Sequence, residues 1–266
     1  MRSYLPALVA LIAAPFVQSQ VLVAGFDGPE YNTDNEAADV AGQNGWAIND
    51  ATPDISFFVL FGYLDSPAGN HGAAVGGYLD APVEGRVELS NTYGGSLVDS
   101  FTSLKFAVQA STDDFPGRDT FGWTLRDSSN ASLMSISLEP SETFNDRLEV
   151  VWYDSANTRS STGHDLFYGN SYDLTINFAQ DGAHAGFSAL IAGAQTLPFS
   201  GTLPGAASAT LQTFAATTSL GATQLEHGDN YLVFDNLSIR VIPEPAVGLL
   251  ALSGLLFGLR RRRCAK

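Results

Sequence analysis

The chain has 266 residues, with 28 acidic and 13 basic side chains, a formal charge of −15 and one cysteine. Such a polyanion repels nucleic acid and anionic lipid. With Cys264 alone, an internal disulfide framework is excluded.

In chain order, Met1-Arg2 is a short positive start and Leu5 to Phe16 is an apolar stretch interrupted by Pro6 and Pro15. Val17-Gln18-Ser19 then offers compact residues at a cleavage site. This pattern predicts a secretory signal peptide over residues 1–19, helical in its apolar part and cleaved after Ser19. Residues 20–240 form the body, expected to be one domain. It holds seven basic and 27 acidic residues, a net −20, and no cysteine. Thiol catalysis and cysteine metal sites are therefore excluded from it, and its stability must come from its core. Solubility accounts for this acidity; divalent cations, cationic partners and neutral glycans are the ligands compatible with it.

Within the body, alternation of apolar and polar residues dominates and helical periodicity is scarce. Predicted strands are Ile55 to Tyr63, Arg86 to Ser90, Ser100 to Ala110, Phe121 to Arg126, Leu133 to Leu138, Arg147 to Tyr153, Ser171 to Phe178, Gly186 to Ile191, Thr210 to Thr218 and Tyr231 to Val241. Turn clusters separate them, among them Asp65 to Asn70, Thr112 to Gly117, Asp127 to Asn130 and Gln180-Asp181-Gly182. Leu125 to Ile136 reads as a hairpin about Asp127 to Asn130, and Thr196 to Ala209 as a long loop. Many short strands at this spacing predict an all-β, antiparallel β-sandwich of jelly-roll type.

The tail, residues 241–266, joins Pro243-Glu244-Pro245 to an apolar run, Ala246 to Leu259, and to Arg260-Arg261-Arg262-Arg263. As a helix, the run is about 21 Å long at ~1.5 Å per residue, short of a hydrocarbon core of about 30 Å. A core helix or interfacial segment would be the plain reading. However, such a helix should show a polar face, and the run is apolar all round. The arginines lengthen the span by snorkelling and hold that end in the cytoplasm. A transmembrane helix over 246–259 with a basic stop at 260–263 is the expectation.

This tripeptide, apolar run and arginine cluster resemble the PEP-CTERM sorting signal of Gram-negative bacteria; the Cys264-Ala265-Lys266 extension departs from it. The resemblance implies processing near Pro243, Glu244 and Pro245 by an exosortase-like membrane enzyme. It also implies a precursor in the inner membrane and release to the envelope or exterior, often beside extracellular polysaccharide. The body resembles a concanavalin A-like lectin/glucanase jelly roll over Phe121 to Asp127, Tyr172 to Ile191 and Tyr231 to Ile239. It also resembles carbohydrate-binding-module jelly rolls at Gly25-Phe26-Asp27-Gly28, Gly45-Trp46 and Phe234-Asp235-Asn236-Leu237.

Sugars stack on exposed aromatic rings and pair their hydroxyls with polar side chains. Trp123, flanked by Gly122, Thr124 and Arg126, is the candidate ring, against a core position as the plainer reading. Trp152 and Trp46 read as core, and Tyr63, Tyr78 and Tyr93 lie beside loops. The carbohydrate-binding-module resemblance implies a structural calcium on Asp27 and Asp235, with Asn236 as a further ligand; edge-shaping by Asp235 and Asn236 is the alternative. His71, His164, His184 and His227 are scattered and form no metal pair, and no Gly-x-Ser-x-Gly elbow is present. The glucanase pattern Glu-x-Asp-x-x-Glu is approached at Glu142 to Glu149 but fails at Phe144. The expected function is therefore an exported, non-enzymatic envelope or matrix protein, glycan-binding or structural. The alternatives are a secreted glycoside hydrolase or lyase on the same fold and a calcium-dependent adhesin.

Overall fold

The computed structural model describes residues 19–26, 40, 43–48, 57–61, 71–76, 83–88, 96–109, 119–144, 146–219 and 231–241. They form two antiparallel sheets. The first is ordered β13 (Thr196–Leu203), β12 (His184–Ala192), β11 (Ser171–Asp181), β6 (Ser100–Gln109), β15 (Tyr231–Val241), β4 (His71–Gly76) and β3 (Phe57–Phe61). In it β15 pairs with β6 along one side. Its other side is shared, with β4 on Tyr231 to Phe234 and β1 (Ser19–Ala24) on Leu237 to Val241. The second sheet is ordered β10 (Arg159–Phe167), β9 (Arg147–Asp154), β8 (Ser132–Pro140), β7 (Thr120–Asp127), β14 (Leu211–Ser219), β5 (Val83–Glu88) and β2 (Trp46–Ile48). Two 3-10 turns, Leu97–Asp99 and Ala206–Ser208, complete the described structure.

The sheets face each other across one apolar core, as strand alternation requires. Phe121, Trp123 and Leu125 of β7 are buried, and so are Leu104, Phe106 and Val108 of β6. Aromatic rings bridge the layers at three places. Phe106 meets Trp123 edge-on at 4.8 Å, Trp152 meets Phe187 at 5.0 Å, and Trp46 lies 5.8 Å from Phe234. Gly201 of β13 makes room for the middle contact: a Cβ there would lie 2.5 Å from the Trp152 ring. The outermost strands β10 and β13 are clasped through His164 Nε2, 3.1 Å from the Pro198 carbonyl, and Gln195 Nε2, which donates to the Asp165 carbonyl at 2.8 Å.

The predicted hairpin about Asp127 is the β7–β8 turn. Its counterpart joins β9 to β10 with nearly the same residues, Asp127-Ser128-Ser129-Asn130 against Asp154-Ser155-Ala156-Asn157. In both, the aspartate carboxylate accepts backbone N–H groups two and four residues on. In both, the asparagine takes the left-handed conformation, with φ of 65° and 61°, as a hairpin of this length demands.

One expectation is corrected, and further strands go beyond those expected. Thr196 to Ala209 is not a loop throughout, because its first eight residues are β13. That strand tolerates Pro198 because it is an edge. The segment Arg159–Phe167 is a strand, β10, that the sequence pattern hid. This edge strand buries only Leu166 fully, and a register shift between Ser161 and His164 breaks its period. The glycine- and alanine-rich β4 was hidden too; its residues 72–76 are nonetheless buried. The predicted signal peptide reaches into the described residues only at Ser19, where β1 begins. The remaining signal residues and the tail from 242 onward, with Pro243, Glu244, Pro245 and Arg260 to Arg263, lie outside them. Among the described residues no helix is long and apolar enough to cross a membrane.

Candidate functional site: the outer face of the seven-stranded sheet

With Trp123, Ile136 and Val150 turned to the core, the alternate residues of β7, β8 and β9 point outward, and the register sets them in rows across the sheet. One row runs Arg86, Ala215, Thr124, Ser135, Tyr153, Arg159. The next runs Glu84, Thr217, Gly122, Ser137, Val151, Ser161. A third brings Glu139, Glu149 and Asp165 side by side.

The middle of this face is small and rich in hydroxyls. Thr124 and Ser135 share a hydrogen bond at 2.9 Å, and Ser137 and Thr217 are half-buried beside them. Thr124 is only 8% exposed and Ala215 0%; their row lies between those of Arg126 and Glu84, whose ion pair crosses it. Gly122 is required there: a Cβ would stand 2.2 Å from the Ile136 carbonyl oxygen of the neighbouring strand. From β14 to β9 are three inter-strand steps of ~4.8 Å, a floor about 14 Å wide.

Two ion networks lie on this face. On the β5 side Arg126 forms a two-pronged bond to the Glu84 carboxylate, one prong at 2.7 Å, and both side chains are largely buried. On the β10 side Arg159 donates to Glu139 through Nε at 3.1 Å and Nη2 at 2.9 Å, and to Glu149 through Nη2 at 2.8 Å. Tyr153 donates its hydroxyl to Glu139 at 2.6 Å, and Ser161 donates to Glu149. Arg159 and Tyr153 stand one row away from Val151 and the glutamates one row beyond it. The network therefore reaches over Val151, which explains why this outward-facing residue is 0% exposed.

The ionisations follow from these contacts. Burial pushes the Glu149 carboxyl up, but the Ser161 hydroxyl and Arg159 guanidinium together outweigh it and hold the group below its ordinary value. Burial first, then the bond to Glu139, raises the Tyr153 phenol. The hydrogen bonds to Glu139 and Glu149 hold Arg159 protonated. Glu139 and Glu149 thus share one Nη2 atom of Arg159.

The residues singled out from sequence fall elsewhere. Trp123 is 4% exposed and packs on Phe106. No face of its ring is open to a sugar, so its stacking role is corrected to a core role. Trp46 is core, as expected, and Trp152 packs inward on Phe187. Asp235 is 1% exposed, beside a register shift in β15, and accepts the Phe26 N–H at 3.2 Å. Asn236 follows it with φ 53°. Asp27, Tyr63, Tyr78, Tyr93 and His227 lie outside the described residues. Of the glucanase-like segment, Glu142 and Asp146 sit in the β8–β9 connection and only Glu149 lies on a strand. Phe144 is 41% exposed with the Arg147 guanidinium 4.1 Å above its ring. His184 accepts the Gly205 N–H at 3.0 Å and His164 serves the edge clasp. Among the described residues no three His, Cys, Asp or Glu side chains are grouped to hold a metal.

Glu84, Ser135, Ser137, Glu139, Tyr153 and Arg159 were not singled out from sequence. Their signal was present as the polar half of each alternating strand. What joins them is cross-strand register, which no single strand reveals.

No family model matches this sequence, and no curated protein is similar to it. Solved structures are similar in fold. The CBM2 module of the evolved Dit of Lactobacillus casei BL23 phage J-1 superposes with TM-score 0.50 at 11% identity, over 85% of this chain and 96% of that one. A carbohydrate esterase of the Shiga toxin-encoding bacteriophage phi24B gives 0.49 at 13%, over 84% and 99%. Lectin II from Ulex europaeus gives 0.49 at 13%, over 84% and 98%. The likeness is one of architecture, a β-sandwich of two antiparallel sheets; at these identities no site residue carries over.

Proposed function

We propose that this chain is an exported glycan-binding protein without catalytic activity. The observation that carries the reading is the hydroxyl-lined outer face of the seven-stranded sheet, where Ser135, Ser137 and Thr217 lie among the Tyr153–Arg159 network and the Arg126–Glu84 pair. Hydroxyls that donate and accept can pair with sugar hydroxyls, and a fixed floor loses little entropy on binding. The fold shared with the phage CBM2 module is compatible with this use. A glycan array probed with the full chain tests it: binding to at least one glycan class is expected, and an empty array ends the reading.

The export route rests on the residues of the two ends. In this reading the Pro243-Glu244-Pro245 tail directs an exosortase-like enzyme from the inner membrane, and the body reaches the envelope or exterior. Replacing Glu244 by Ala should leave unprocessed, membrane-held chain in the producing cell; normal processing of that variant would remove the proposal.

A calcium ion on Asp27 and Asp235 is the second reading. It is favoured by the burial of Asp235, whose carboxylate accepts the N–H of Phe26, the residue before Asp27 in sequence. The described residues there supply one carboxylate and one amide, against the six or more oxygens calcium takes, so Asp27 and neighbouring carbonyls must provide the rest. A chelator should then lower the melting temperature of the full chain by several degrees; an unchanged melting curve rules the ion out.

A further inference from the structure

The ion networks of the seven-stranded sheet say which glycans its floor can take. Acidic polysaccharides are held by free guanidinium forks, which match a carboxylate or sulfate in two-pronged fashion. The outer face of this sheet offers two arginines with described side chains, and each already bonds a glutamate from within. Arg126 is bound to Glu84 through both terminal nitrogens. Arg159 is bound to Glu139 through Nε and Nη2 and to Glu149 through Nη2.

A uronate at either arginine must displace a glutamate or lie beside it, against a cation already neutralised. Glu84 and Glu139 are just 16% and 21% exposed, so the displaced carboxylate would be left partly buried and unpaired, which costs more than an ordinary hydrogen bond returns. Long-range repulsion adds to this, because the whole chain carries −15. A neutral sugar meets neither obstacle. Its hydroxyls can pair with Ser135, Ser137 and Thr217 while both ion networks stay intact.

We infer that the floor between Arg126 and Arg159 selects neutral, polyhydroxyl glycans and rejects uronate or sulfated ones. This rests on the glycan-binding reading and narrows it. The test is affinity electrophoresis of the full chain in gels containing a neutral β-glucan, a galactomannan, alginate or polygalacturonate, each at low and high salt. Retardation by a neutral polysaccharide, unchanged by salt, with none by alginate or polygalacturonate, is expected. Retardation by either uronate overturns the selectivity and leaves glycan binding standing. Retardation by none of the four overturns the selectivity, and the wider glycan array then decides whether glycan binding survives. Ser137→Arg, which fills the floor, should weaken retardation by the neutral polymer at least tenfold; a folded variant that binds as before places the glycan elsewhere and overturns the assignment. The wild-type comparison stands whether or not that variant folds.

Discussion

Thr102 and Trp123 turn two polar atoms into an apolar interior, and replacing one of them tests the packing of the sandwich. Thr102 is 1% exposed and Trp123 4%. Neither the threonine hydroxyl nor the indole nitrogen has a hydrogen-bond partner. Both line a gap of ≈ 10 Å³ with Leu104, Leu125, Ile136 and Phe214 among its walls. In the unfolded chain the hydroxyl is hydrated; in the fold it is not, at a cost of about 1–3 kcal/mol. Thr102→Val keeps the shape, removes the hydroxyl and suits a strand. The variant should therefore be more stable by about 1–2 kcal/mol. For a domain of this size that is a melting temperature higher by roughly 2–8 °C. Thermal unfolding of the full chain followed by circular dichroism measures it. Leu104→Ala, in the wall of the same gap, provides the contrast, with a loss of about 2–5 kcal/mol. A fall of 2 °C or more in Thr102→Val would refute the reasoning. It would mean that the hydroxyl is satisfied, most simply by a water bridging it to the indole, for which the gap is at the lower size limit.

Three further outcomes are expected. Gly122→Ala drives a methyl into the Ile136 carbonyl and should cost about 1–3 kcal/mol, read from urea unfolding; a neutral result would mean that β7 and β8 are not paired in this register. Asn157→Ala, at φ 61°, should lose about 1 kcal/mol and Asn157→Gly almost nothing, because only the β-carbon is at issue. Acid should destabilise the fold. The Glu149 carboxyl is lowered from its ordinary 4.5, so its contribution is complete above that pH and is lost as pH falls through the lower folded value. Asp127, held low by the Ser129 hydroxyl, and Asp154, held low by the Thr158 N–H, act in the same direction from 3.8 downward. Glu149→Gln should flatten the acid limb of a melting-temperature profile, and an unaltered profile would show that Arg159 does not depend on it.

The two-sheet architecture was legible because buried strands carry their own signature. In Ser171–Asp181, Tyr172, Leu174, Ile176 and Phe178 are buried between exposed or half-buried residues, and the period-2 pattern announces this directly. β10 and β13 were not legible, because an edge strand has one paired side and little to bury. The site was half legible. Gly122, Thr124 and Arg126 stood out as the polar face of β7, but as surroundings for Trp123. The ring is the part that belongs to the core, and the surroundings are the part that faces outward. Glu139 and Glu149 lie ten residues apart in sequence, and their meeting at Arg159 depends on the register of two hairpins.

The position of β15 has a consequence for synthesis. It is the last strand among the described residues, yet it lies inside its sheet, flanked by β6 on one side and by β4 and β1 on the other. Until residues 231–241 have left the ribosome, β6, β4 and β1 present unpaired edges and the larger sheet cannot be assembled. Pairing Ser19 with Val241 closes a loop of nearly the whole body, a contact that forms slowly. The larger sheet of a nascent chain therefore closes last, after the seven strands of the other sheet have all been made.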